Sequence, residues 1–134
     1  WATGKAIVPL NYLLSKEEIQ YIIKDSRVDT IVTVNAMLDF VGTVPEGVSL
    51  IKLDELSFKG FPPIKRSVKS NPEMLAALLY TSGTSGKPKG VMLTANNLNS
   101  NIEQCIQKVG FSQNDIFQIS LRGNQSILFV YLSL

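Results

Sequence analysis

Residues 80 to 90 read Tyr80-Thr81-Ser82-Gly83-Thr84-Ser85-Gly86-Lys87-Pro88-Lys89-Gly90. The ten residues after Tyr80 hold three glycines, four hydroxyl side chains and two lysines. Glycine and proline punctuate regular structure. The short apolar run before this stretch, Met74 to Tyr80, could be strand or helix by composition; the Gly-rich residues next to it favour a strand that stops at a functional turn. Val91-Met92-Leu93 is a second short apolar run on the far side. The chemistry the stretch suits is that of phosphate. Glycines let backbone amides approach an anion and form a concave nest, hydroxyls donate to phosphate oxygens, and lysine adds a mobile positive charge. Composition alone leaves a plainer reading open, since stretches rich in Gly, Ser and Thr are most often flexible loops or linkers. Neither G-x-x-x-x-G-K-[ST] nor G-x-G-x-x-G is present. Thr81 stands where the first glycine of the former belongs, and Pro88 follows Lys87 where Ser or Thr belongs.

Strand and helix signals alternate around it. Ala6 to Pro9 is a short apolar run after Gly4 and reads as a strand. Ser15-Lys16-Glu17-Glu18 is a capping box, and Ile19, Ile22 and Ile23 follow at helical spacing, predicting a helix from Lys16 to Asp25. Thr30 to Val34 is β-branched throughout and reads as a strand. Strand, helix, strand at this spacing suggests a βαβ unit with a parallel pair. Gly42 to Gly47 reads as a turn, Val48 to Leu53 as a strand, and Phe58 to Ser70 as a linker or surface loop. Thr94 caps a helix running to about Val109, which Gly110 stops. Asn96, Asn97, Asn99 and Asn101 make that helix weak by propensity, so packing is expected to hold it. Ile116 to Ser120 is a further strand candidate.

The chain has 134 residues, 18% of them charged, and a net charge of +2. That length fits one domain or part of a larger one. That charge argues for neither nucleic acid nor a membrane surface, and the run Lys65-Arg66 with Lys69 reads as solvated loop. There is no histidine, which removes Ser-His-Asp and Cys-His catalysis and histidine-based metal sites. The single cysteine, Cys105, is expected in the core or half-buried beside Ile102 and Ile106. One thiol cannot form an internal disulfide, so a reducing, cytoplasmic compartment is the expectation, with peripheral membrane association of a parent protein also compatible. Trp1 opens the chain without a leader, and an apolar run, Ile127 to Leu134, closes it. That run is too short to span a bilayer, and a fragment is the expectation.

The string Thr81-Ser82-Gly83-Thr84-Ser85-Gly86-Lys87-Pro88-Lys89-Gly90 resembles the phosphate-loop signature of the adenylate-forming superfamily, T-S-G-[ST]-T-G-x-P-K-G, with Ser85 where Thr is commoner. That group includes acyl-CoA synthetases, luciferases and adenylation domains of peptide synthetases. Val91 to Leu98 resembles the strand and helix start that follow the loop, Ala95 replacing the usual His. Val8-Pro9-Leu10-Asn11-Tyr12, with Leu14-Ser15, Glu17-Glu18, Tyr21-Ile22 and Asp25-Ser26, resembles the earlier V-P-L-N-P…L-S-x-x-E-L…I-L-x-D-S stretch.

The resemblance implies an α/β fold, one partial subdomain of the large N-terminal domain of an adenylate-forming enzyme. It implies an acid–thiol ligase of acyl-CoA synthetase type acting on a carboxylic acid, a fatty acid in the nearest subgroup. A carboxylate attacks the α-phosphate of ATP, giving an acyl-adenylate and pyrophosphate, and the acyl group passes to a thiol of CoA or a carrier pantetheine. Thr81, Ser82, Gly83, Thr84 and Lys89 would contact the β- and γ-phosphates and Mg²⁺ would share their charge, with Ser85, Gly86, Lys87, Pro88 and Gly90 completing the binding loop. Pro88 would stiffen its exit, and Lys87 stands as a solvated charge. The likeness fades past Phe117. Residues 1–117 are therefore read as a partial AMP-binding domain and residues 118–134 as a divergent tail, non-native through a frameshift or truncation. No catalytic residue is assigned, and adenylation by this chain alone is not expected, since the adenine and ribose segments and the catalytic lysine of the family are missing. The alternative is a catalytically dead remnant serving as a nucleotide-binding or interaction module. Self-association through apolar surface is expected of either.

Overall fold

A computed structural model of the chain describes residues 4–11, 13–57, 59–60, 71–81, 86–110 and 127–132, the last six as backbone. Strand β1 (Ala6–Asn11) buries Ala6, Val8 and Leu10, while Ile7 and Pro9 are only half-buried and Asn11 is exposed, the two-residue alternation of a strand with one face on the core. Helix α1 (Lys16–Ser26) starts where the sequence places it. The Ser15 side chain accepts from the Glu18 amide at 3.2 Å, and the Glu18 carboxylate accepts from the Ser15 amide at 2.8 Å. Ile19, Ile22, Ile23 and Ser26 form its buried stripe, the spacing that keeps one helical face on a core. Ser26 is polar but satisfied, its hydroxyl donating to the carbonyl of Ile22. The helix ends at Arg27, which adopts the left-handed conformation at φ 53°.

Strand β2 (Thr30–Thr33) follows, then a 3₁₀ turn (Asn35–Met37) and the single-turn helix α2 (Leu38–Val41). Gln20 on α1 donates through Nε2 to the carbonyls of Val41 and Thr43, tying α2 and its exit to α1. Strand β3 (Ser49–Lys52) is shorter than the predicted run, because Leu53–Glu55 tightens into a 3₁₀ turn. Strands β4 (Leu75–Thr81) and β5 (Lys89–Thr94) flank the Gly-rich stretch, and β4 resolves the choice left open by composition. Helix α3 (Ala95–Val109) ends at Gly110, whose φ of 74° is the left-handed geometry that favours glycine. Strand β6 (Ile127–Leu132) completes the mixed sheet, whose order is β3-β2-β6-β1-β4-β5. The predicted strand Ile116–Ser120 and most of the predicted loop Phe58–Ser70 lie outside the described residues.

Two expectations change here. Strands β1 and β2 point the same way but are not neighbours: β6 lies between them, antiparallel to both, with Val8 opposite Val130 and Ile31 also opposite Val130. The sequence Ile-Leu-Phe-Val-Tyr-Leu is apolar at every position, the pattern of a strand covered on both faces. The parallel neighbours are instead β1 with β4 and β2 with β3. Secondly, Cys105 is exposed, and so are Ile102, Ile106 and Val109. The second half of α3 carries an apolar stripe that nothing among the described residues covers. Its Asn-rich start has half-buried Ala95 and Leu98 and a second capping box, in which the Thr94 side chain accepts from the Asn97 amide at 3.1 Å and Asn97 Oδ1 accepts from the Thr94 amide at 3.0 Å.

The core joins β1, α1, β2, α2 and β4 through Val8, Leu10, Ile19, Ile22, Ile31, Val41 and Leu78. Full burial of each branched side chain contributes about 1.5–3 kcal/mol. Lys5 pairs with Asp29 at 2.8 Å, a half-exposed contact worth at most about 1 kcal/mol. Among the described residues no helix is long and apolar enough to cross a membrane.

Candidate functional site

The Gly-rich stretch is the connection of a β-hairpin. Strand β4 brings the chain to Thr81 and β5 takes it away from Lys89, and these two residues are direct partners in the antiparallel register; Tyr80 is the partner of Gly90. Residues opposite one another in such a pair project from the same face of the sheet. Thr81 and Lys89 therefore share one face at the mouth of the connection, and Tyr80 and Gly90 share the other. The ends of the predicted binding segment thus meet across one rung of the ladder, and β1 lies alongside through its pairing with β4.

Of the ten residues assigned to phosphate, Thr81, Gly86, Lys87, Pro88, Lys89 and Gly90 are described, and Ser82, Gly83, Thr84 and Ser85 lie outside the described residues. Thr81, Lys87 and Lys89 are exposed. Among the described residues neither lysine is in an ion pair, so both ammonium groups are available to an anion. Gly86 has a φ of 80°, a turn conformation that costs a side chain strain and glycine none. Pro88 is buried. With φ fixed by its ring and no N–H to satisfy, it seats the exit of the connection without leaving a donor unpaired.

Gly90 has a different reason. Its backbone is not left-handed, but a Cβ placed there would lie 3.1 Å from Leu78 Cδ1, 3.1 Å from Tyr80 Cζ and 3.3 Å from Tyr80 Cε1. The Tyr80 ring lies across the bare glycine. Its hydroxyl donates to Asp25 Oδ2 at 2.6 Å, joining the strand end to the last turn of α1. Partial burial, and after it the bond to the Asp25 carboxylate, push the Tyr80 phenol well above its ordinary range. Sequence reasoning gave Tyr80 and Asp25 no role, although both stand inside the quoted motifs. Their partnership spans 55 positions, and no local pattern signals it.

A groove of about 570 Å³ runs along Tyr21, Lys24 and Arg27 of α1 and the turn residues Pro45 and Val48. None of its lining residues belongs to the hairpin.

A family model described as AMP-binding enzyme matches residues 1–132. Tyrocidine synthase 1 of Brevibacillus parabrevis is 36% identical over 90 residues, covering 67% of this chain and 8% of that protein. The mitochondrial malonate–CoA ligase ACSF3 of Mus musculus is 28% identical over 122 residues, covering 87% of this chain and 21% of that protein. The crystal structure of ATP-bound MatB from Rhodopseudomonas palustris superposes with a TM-score of 0.65 at 28% identity, covering 79% of this chain and 23% of that one. The chain thus spans less than a quarter of the length of each of these relatives.

Proposed function

Since the chain belongs to the AMP-binding enzyme family, within the adenylate-forming superfamily and with the α/β fold of part of its N-terminal domain, we propose that it is the segment that binds the ATP phosphates in an ATP-dependent carboxylate ligase. The observation that carries the reading is the register of the hairpin. It puts Thr81 opposite Lys89 at the mouth of a connection rich in glycine and hydroxyls, with the Lys89 ammonium exposed and unpaired among the described residues. A hydroxyl donor and a cation side by side on a fixed β rung suit two oxygens of one polyphosphate, and charge-assisted donors are the strong ones. The loop residues Ser82, Gly83, Thr84 and Ser85 would supply further amides and hydroxyls. Together these groups stabilise negative charge as it gathers on a leaving pyrophosphate.

The reaction is that of an acid–thiol ligase: a carboxylate is activated as its adenylate, and the acyl group goes to a thiol, of CoA or of a carrier pantetheine. Similarity to a malonate–CoA ligase supports a thiol acceptor. Activation of a fatty acid by transfer to CoA is the narrower form of the proposal. Mg²⁺ would share the charge of the ATP phosphates. A cytoplasmic setting goes with ATP as co-substrate and with a single thiol.

Calorimetry with MgATP tests the reading on this chain and on Lys89→Ala. Loss of one charge-assisted contact weakens binding by about 10- to 100-fold. Binding by the parent chain that survives Lys89→Ala unchanged would remove the assignment. So would a full-length parent enzyme whose ATP–pyrophosphate exchange is indifferent to Lys89→Ala.

A further inference from the structure

We propose that Tyr80 and Asp25 form a positioning latch, seated on Gly90, that fastens the base of the phosphate-binding hairpin to helix α1; this rests on the functional reading above. Among the described residues strand β5 is an edge of the sheet, its backbone paired with β4 alone. An edge strand leading out of a glycine-rich connection has little of its own to hold it in place. Tyr80, the last β4 residue before Thr81, is fastened by three separate features. Its backbone pairs with Gly90. Its half-buried ring packs against the core and lies across Gly90, where no Cβ intervenes. Its hydroxyl donates to Asp25 Oδ2 at 2.6 Å, a distance in the range of bonds to charged acceptors. Asp25 in turn sits on a rigid element, next to Ser26 and one turn from Ile22, both buried.

The consequence falls on the opposite face. Tyr80 and Thr81 are consecutive, so a rotation or slide of β4 that frees the tyrosine also moves Thr81 and its partner Lys89. Fixing the rung at Tyr80–Gly90 therefore fixes the rung at Thr81–Lys89. Thr81 and Lys89, held in place before the ligand arrives, lose less entropy on binding it. Neither Tyr80 nor Asp25 touches the phosphates in this scheme; both act through Thr81 and Lys89.

The test uses the chain itself, with MgATP as the probe, at a temperature well below unfolding. The variants are Tyr80→Phe, Asp25→Ala, Asp25→Asn and the double variant Tyr80→Phe/Asp25→Ala. Each removal should weaken MgATP binding by about fivefold, the size of one lost hydrogen bond. The double variant should also lose about fivefold rather than the product of the two, since the pair acts as a unit. Asp25→Asn keeps a carbonyl acceptor and should retain more affinity than Asp25→Ala. Amide hydrogen exchange at Lys89 and Gly90, measured without nucleotide, should speed up in the same order. A bond that merely stabilises the sheet would lower the melting temperature and leave the affinity as it was; that result, or multiplicative losses in the double variant, overturns the proposal. Should the unaltered chain fail to bind MgATP, it is the functional reading that falls. Hydrogen exchange then decides the latch alone: faster exchange in Tyr80→Phe upholds it and unchanged exchange refutes it.

Discussion

Replacing Gly90 by alanine adds a single methyl group to a strand, a change that is ordinarily mild. Two effects oppose each other. Gly90 is not among the glycines with positive φ, so alanine is compatible with the backbone, and its smaller unfolded-state entropy favours folding by about 0.4–1 kcal/mol. Against this, the new Cβ would meet Leu78 Cδ1 and Tyr80 Cζ at 3.1 Å and Tyr80 Cε1 at 3.3 Å, tighter than ordinary carbon contacts of about 3.5–4.0 Å. Relief requires the ring to retreat by a few tenths of an ångström, and its hydroxyl is held at 2.6 Å by Asp25. Overpacking of this kind costs about 1–3 kcal/mol. The clash wins, and Gly90→Ala should destabilise the chain by about 1 kcal/mol net, read as a lower urea midpoint at unchanged slope. The decisive comparison is the same substitution in a Tyr80→Ala background. With the ring gone, only the Leu78 Cδ1 contact remains, the end of a flexible side chain with room to turn into the vacated space, and the loss from Gly90→Ala should shrink to near zero. An equal loss in both backgrounds would show that Gly90 is needed for some reason other than the ring, and the account of the Tyr80 seat would fail.

Thr94→Ala removes the acceptor of the Asn97 amide and should cost about 1 kcal/mol. Because residues 101–110 are exposed and give α3 little packing, the loss should appear as reduced far-ultraviolet helicity; full retention of helicity would count against it. The raised Tyr80 phenol has a pH signature. The folded state favours the protonated phenol, so its contribution is complete below the unfolded value of about 10 and is lost as pH rises above that. The stability difference between the chain and Tyr80→Phe should hold steady below that pH and shrink above it, and parallel curves throughout would refute the bond to Asp25. Cys105 is exposed, so a maleimide should label it in the folded chain at a rate independent of unfolding; labelling only after denaturation would mean that the outer face of α3 is covered.

Much of the secondary structure was legible because its causes are local. The capping box at Ser15, the cap at Thr94, the isoleucines of α1, the β-branched run of β2 and the stop at Gly110 act within four or five residues. The phosphate reading of the Gly-rich stretch rests on the order of its residues and not on its composition, which suits a plain flexible loop as well. The geometry of the stretch was not legible. That Thr81 faces Lys89, and not Lys87 or Gly90, depends on the pairing register of β4 with β5, which shifts every side chain to the other face if it slips by one residue. Cys105 was misread for the same kind of reason. An apolar stripe on a helix shows that a face seeks cover, but not that the described part of the chain supplies it.

The sequence by itself determined helices α1 and α3, strands β1, β2 and β3, and the crowding of glycines, hydroxyls and lysines between two apolar runs, because propensity, capping and composition are properties of neighbouring residues. Tertiary structure alone decided that Ile127–Leu132 enters between β1 and β2, that Thr81 and Lys89 share a face, and that Tyr80 reaches across 55 positions to Asp25 over a glycine with no side chain in the way. Each of these depends on which distant segments pack together, and that choice is made by the burial of the whole chain and not by any stretch of it.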